Sequence, residues 1–162
     1  MLDAFLAQGA DIGCNKAVAG SLLAWAEQQE QAAGQEDIYR RKEGRTTLRF
    51  EHGGRAFFLK RHSGVGWREI LKNLLTLRLP VTGASNEYRA LEKLRKIGLH
   101  TPEVAAYAVA GRNPARQQSM IVTRELTGTI NLEDYCRHWR SAPPVFATRL
   151  RLIRLLADMA RH

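Results

Sequence analysis

The sequence predicts an α+β fold, a five-stranded antiparallel sheet with helices inserted after its third strand. Three observations point to it. Short runs with strand-like alternation at 37–42, 46–51 and 55–62 are separated by Glu43-Gly44 and Gly53-Gly54. Two stretches of helical period follow, and two more strand-like runs come at 104–109 and 119–126. Strands joined by tight turns pair antiparallel, and helices grouped between them form a separate layer.

Ahead of the sheet, Ala17–Ala33 carries Leu22, Leu23, Trp25 and Ala26 and then a Glu/Gln/Ala-rich run up to Gly34. This predicts a surface helix within a helical extension over 1–36. Gly53-Gly54 is a hairpin signal, because glycine reaches the positive φ of a tight turn without steric cost. From Gly66 to Leu79 the residues Trp67, Ile70, Leu71, Leu74 and Leu75 fall at helical spacing, with Arg68, Glu69, Lys72, Asn73 and Thr76 opposite. Pro80 interrupts that helix. A second helix over 85–97 has Leu91 and Leu94 on one face, Gly98 as its cap, and Pro102 to prevent continuation. After the last two strands, Asn131 with Asp134 three residues on opens a short helix. A final helical run goes from Val145 to His162, and its apolar positions predict surface that needs a cover.

Composition narrows the classes. The chain has 162 residues, 44% of them hydrophobic, which supports a packed core. No stretch reaches the ~20 apolar residues of a membrane span. Met1–Gly13 lacks the basic start of a secretory signal, so a cytoplasmic location is expected. Cys14 and Cys136 are far apart and fit free thiols, and no metal-ligand spacing is present. His62, His100 and His138 read as surface residues. The net charge of +9 is uneven: residues 1–39 carry −5, 40–78 carry +8 and 79–162 carry +6. A basic middle suits phosphates, an anionic membrane surface or an acidic protein. Nucleic acid is disfavoured, because the few aromatic residues are not interleaved with the basic ones.

Two charged residues stand where burial is expected. Strand alternation puts Ala56, Phe58 and Lys60 on one face, and Glu87 lies four and seven residues before Leu91 and Leu94. Either they pair, which fixes an ammonium in place, or Lys60 snorkels to solvent and Glu87 borders the stripe.

The segments RTTLRF (45–50), FFLKRH (57–62), GWREILKNLLTLRLPVTGASNEYRALEKL (66–94), NPARQQSMIVTREL (113–126) and INLEDYCRHW (130–139) together resemble the bacterial lipopolysaccharide core kinases, above all those acting on an inner-core heptose. The resemblance implies a protein-kinase-like N-lobe over 37–126, with the hinge exit and first C-lobe helices over 127–162. It implies ATP and Mg²⁺ as cofactors, a heptose of the lipopolysaccharide core as acceptor, and peripheral contact with an anionic inner membrane. By the same resemblance Lys60 binds the α/β-phosphates and Glu87 orients it. Thr123, Arg124, Glu125 and Leu126 form the adenine-binding hinge, and the turn at Gly44 and Arg45 stands in for the phosphate-covering loop. The sequence departs from the kinase pattern in lacking G-x-G-x-x-G and in placing Phe58 two residues before the lysine. It also contains no His-Arg-Asp or Asp-Phe-Gly segment. The catalytic base and Mg²⁺ ligands are therefore expected in a C-lobe beyond this sequence, and the chain alone is expected not to transfer phosphate. A non-catalytic module that binds an acidic partner through the basic segment is the alternative.

Overall fold

A computed structural model describes residues 16–42, 44–64, 66–67, 83–113 and 115–161. Beyond Gly66 and Trp67, the predicted helix over 66–79 lies outside the described residues, as do Cys14, Glu43, Pro80 and Pro114.

The chain order is α1 (Lys16–Ala32), β1 (Ile38–Lys42), β2 (Arg45–His52), β3 (Arg55–His62), α2 (Ser85–Lys96), β4 (Val104–Ala110), β5 (Gln118–Arg124), α3 (Leu132–Cys136) and α4 (Phe146–Ala160). The five strands form one sheet in the order β1-β2-β3-β5-β4, and every neighbouring pair is antiparallel. Gly53 and Gly54 make the β2–β3 turn with φ of 57° and 70°, which a side chain rarely tolerates. Gly98 ends α2 at φ 80°, and the Leu99 N–H donates to Leu94 O across the cap. In α3 the Asn131 Oδ1 accepts from the Asp134 N–H at 2.7 Å, so the capping pair read from the sequence forms.

Alternation along β3 gives the sheet two different faces. Phe57 and Leu59 point to one side and are buried with Leu48, Ala106, Ala108, Met120 and Val122. The cover over that side is α1. Ala19, Leu22, Leu23 and Ala26 repeat at i, i+3, i+4 and i+7, and all four join the same buried cluster. The helix predicted as a surface extension is thus one wall of the core. Trp25 meets Phe50 edge-on at 5.5 Å, and Phe50 stacks on Phe57. Each fully buried side chain of this size is worth about 1.5–3 kcal/mol, so this face supplies most of the driving force for folding.

Charge fixes the helix in register. Arg61, next along that face, donates to Glu30 of α1 at 2.8 Å, and the Thr46 hydroxyl donates to the other Glu30 oxygen at 2.6 Å. At the far end of the chain, α3 and α4 have no buried residue, and Phe146, Ile153, Leu155 and Leu156 are exposed.

Candidate functional site

Phe58, Lys60 and His62 point to the opposite face from α1. Their cross-strand partners bring Arg49, Thr47 and Arg45 from β2, and Thr123, Ile121 and Ser119 from β5, to the same side. Directly opposite side chains on paired strands share a face, so one strand register assembles this whole surface.

Lys60 and Glu87 meet on it, with the Lys60 ammonium 2.5 Å from Glu87 Oε1. Of the two readings open from the sequence, the structure takes the paired one, without full burial: the side chains are 37% and 33% exposed. A pair this wet is worth no more than about 1 kcal/mol to folding, well short of the 3–5 kcal/mol at stake in a buried one. Its effect is geometric. Lys60 has three N–H donors, and Glu87 is its one bonding partner among the described residues, so two donors remain for an anion.

The first turn of α2 is held closely where it carries Glu87. The Ala84 N–H donates to the fully buried Ser119 Oγ at 2.9 Å. Tyr88 stacks on Tyr107 of β4 with centroids 4.3 Å apart and planes 6° from parallel, and the Tyr107 hydroxyl donates to Ser85 Oγ at 2.8 Å. These contacts replace the burial expected of the Leu91/Leu94 stripe, since no residue of α2 is buried. Tyr88, Tyr107 and Ser119 escaped the sequence reading. The signal available was Tyr107, the single large side chain in an Ala/Val strand.

His62 corrects another expectation, because it is 9% exposed rather than a surface residue. Burial lowers its pKa from the ordinary value, and the nearby Arg45 and Lys60 cations lower it further against an opposing pull from Glu87. The imidazole is therefore neutral at pH 7, and its buried Nδ1 has no hydrogen-bond partner among the described residues. Arg45 starts β2 opposite His62. Gly44 turns with φ 69°, and its carbonyl accepts from the Ser63 N–H at 2.8 Å, which ties the β1–β2 turn to the end of β3.

At the predicted hinge, β5 ends at Arg124, two residues earlier than read from the sequence. Thr123 is buried opposite Phe58, with a small side chain on the Lys60 face. The Arg124 N–H donates to Glu103 O and its guanidinium pairs with Glu103. The Glu125 N–H donates to Ala56 O at 2.9 Å, so neither amide is free for a base. The Leu126 N–H comes next, on a residue 52% exposed, and has no partner among the described residues. Phe58 packs edge-on against Tyr39 of β1 at 5.3 Å.

A family model described as the lipopolysaccharide kinase (Kdo/WaaP) family matches residues 29–162. A lipopolysaccharide core heptose(I) kinase WaaP of Escherichia coli is 45% identical over 127 residues, covering 78% of this chain and 48% of the relative. The enzyme of the same name from Pseudomonas aeruginosa is 47% identical over 122 residues, covering 75% of this chain and 46% of its own. A solved structure of WaaP in complex with acyl carrier protein superposes with a TM-score of 0.63 at 35% identity, covering 83% of this chain and 47% of that one. The chain thus spans about half the length of the curated relatives it matches.

Proposed function

The chain belongs to the lipopolysaccharide kinase (Kdo/WaaP) family, and from that premise we propose that it carries the ATP-binding half of a kinase acting on a heptose of the lipopolysaccharide core. Residues 37–126 serve as the N-lobe, and 127–162 lead into the C-lobe. The observation that carries the reading is the partly exposed Lys60–Glu87 pair on the sheet face opposite the core.

The donors present suit a nucleotide. Lys60 retains two N–H groups for phosphate oxygens, and the Leu126 N–H stands at the strand exit for the base. Thr123 stands opposite Phe58 on the same face. ATP, when bound, supplies the phosphoryl group that is transferred. This chain's residues bind and orient it: Glu87 holds the ammonium in place, Lys60 neutralises phosphate charge, and the Gly44–Arg45 turn closes over the same end. Among the described residues no group of three His, Cys, Asp or Glu side chains is arranged to hold a metal ion. Mg²⁺ enters the proposal as the nucleotide's counter-ion. The proton-accepting Asp and the metal-holding residues are assigned to the part of the family's length that this chain does not span.

No helix among the described residues is long and apolar enough to cross a membrane. We place the protein in the cytoplasm, in peripheral contact with the anionic inner membrane through its basic segment. A protein partner is the second reading. The related WaaP was solved with acyl carrier protein, and residues 40–78 of this chain carry +8 for an acidic surface to meet.

Calorimetric titration of the 162-residue chain with ATP, with and without Mg²⁺, tests the first reading. Saturable binding that disappears in Lys60→Ala is expected. An unchanged affinity in Lys60→Ala would refute it.

A further inference from the structure

Arg49 and Glu125 are the two residues of the site face whose pairing the kinase reading leaves unused. Arg49 lies on β2 and Glu125 just past β5, with β3 between them. Two inter-strand steps of this sheet amount to about 10 Å. The side chains close that gap across Ala56 and Phe58. Arg49 Nε lies 3.3 and 3.2 Å from the two Glu125 oxygens, and Nη2 lies 3.0 Å from Oε2. Glu51 adds a third carboxylate oxygen at 3.1 Å from Nη1. The Glu125 hydrogen bond, and then that to Glu51, pushes the already high guanidinium pKa higher still.

Glu125 is therefore fastened twice, by its side chain to β2 and by its N–H to Ala56 of β3. The next residue carries the one hinge N–H without a partner among the described residues, that of Leu126. An Arg fork holds a carboxylate in a fixed plane, which a lysine cannot do. We propose that Arg49 and Glu125 are positioning residues that set the direction of the Leu126 N–H and so the recognition of the nucleotide base. This rests on the ATP-binding reading. Its consequence is separable from that reading, because the clasp acts on the base end of the ligand and Lys60 on the phosphate end.

The experiment compares wild type, Arg49→Gln, Arg49→Lys, Glu125→Gln and the swap R49E/E125R in titrations with ATP and with inorganic tripolyphosphate. Wild type should prefer ATP. Arg49→Gln and Glu125→Gln should lose that preference by about tenfold, the loss of one well-placed hydrogen bond, while tripolyphosphate binding changes less than about twofold. Arg49→Lys should recover little, and the swap most of it. An ATP preference that survives in Arg49→Gln overturns the proposal, as does an equal loss for both ligands, which marks a merely structural contact. If wild type binds neither ligand, the ATP-binding reading fails, and hydrogen exchange at the Glu125 amide, which is bonded to Ala56 O, decides the clasp. Faster exchange at that amide in Arg49→Gln, with the amides of β3 and β5 unchanged, upholds positioning of the hinge, and unchanged exchange overturns it.

Discussion

Replacing Glu30 with alanine should destabilise this protein more than removing any other carboxylate of the sheet layer. The Glu30 and Arg61 side chains are 18% and 11% exposed, and they meet at 2.8 Å between α1 and β3. Glu30 also accepts from the buried Thr46 hydroxyl and lies 3.7 Å from Arg41. Without it, Arg61 keeps among the described residues only Glu27, at 3.4 Å and half exposed. Breaking a buried pair by removing one member costs about 3–5 kcal/mol. The Glu27 contact places this case near the lower figure, and the stranded Thr46 hydroxyl acts against that relief. Against a typical total of about 5–15 kcal/mol, a loss of ~3 kcal/mol is large. At roughly 2–4 °C per kcal/mol for a chain of this size, Tm should fall by about 6–12 °C. Urea denaturation followed by far-UV circular dichroism measures it, with Glu51→Ala as an exposed control. The double variant E30A/R61M should recover most of the loss, because an apolar side chain leaves no buried charge behind. A Glu30→Ala loss no larger than the ~0.5 kcal/mol expected of the control would refute the reasoning.

His62 makes stability depend on pH. Its folded pKa lies below the ordinary 6.5, so the unfolded chain binds the extra proton more readily. The associated stability is fully present above 6.5 and is lost as pH falls from 6.5 toward the folded value. Denaturation midpoints should drop between pH 7.5 and 5.5 more steeply in wild type than in His62→Gln; equal slopes would contradict the assignment. Ser119→Ala strips the buried Ala84 N–H of its acceptor and should cost about 1–3 kcal/mol in urea denaturation, with weakened ATP affinity as α2 shifts Glu87. Gly44→Ala forces a side chain into φ 69° with its Cβ 2.5 Å from Gly64 O. It should cost at least about 1–2 kcal/mol in the same assay.

The strands were legible because glycine pairs and period-two alternation are local signals, and each of the five strands lies within two residues of where they put it. Lys60 and Glu87 were legible for a similar reason: each breaks the pattern of its own element, and two breaks of opposite charge suggest one another. The role of α1 was hidden by the same logic. Glu30 continues the face of Ala19, Leu22, Leu23 and Ala26, and a charge there looks like the end of the stripe. Its partner Arg61 is 31 residues away on another element, and only the folded register brings them together. His62 stands at the end of a strand, where exposure is the ordinary expectation, and its strand partners Arg45 and Ser119 come from β2 and β5. The exit of β5, which we assign as the hinge, was legible as a segment, but the amide it leaves without a partner among the described residues was not. That depends on the alignment of β3 with β5, which commits the Glu125 N–H to Ala56.

Parity along β3 separates what stabilises this protein from what we assign to its function. Phe57, Leu59 and Arg61 face α1, two in the apolar cluster and one in its ion pair. Phe58, Lys60 and His62 face the site. Substitutions at the odd positions should appear first as lost stability, and those at Phe58 and Lys60 as lost affinity in a protein that still folds. His62 belongs to both groups, being buried like the first set and electrostatically linked to Lys60 and Glu87 like the second. The core wall opposite the site comes largely from Ala19, Leu22, Leu23 and Ala26, which lie before the family match begins at residue 29. A lobe built only from the matched residues would leave Phe57, Leu59 and Val122 open to water on one side. Burying them is worth about 1.5–3 kcal/mol each, which makes α1 a condition for holding Lys60 and Glu87 in place.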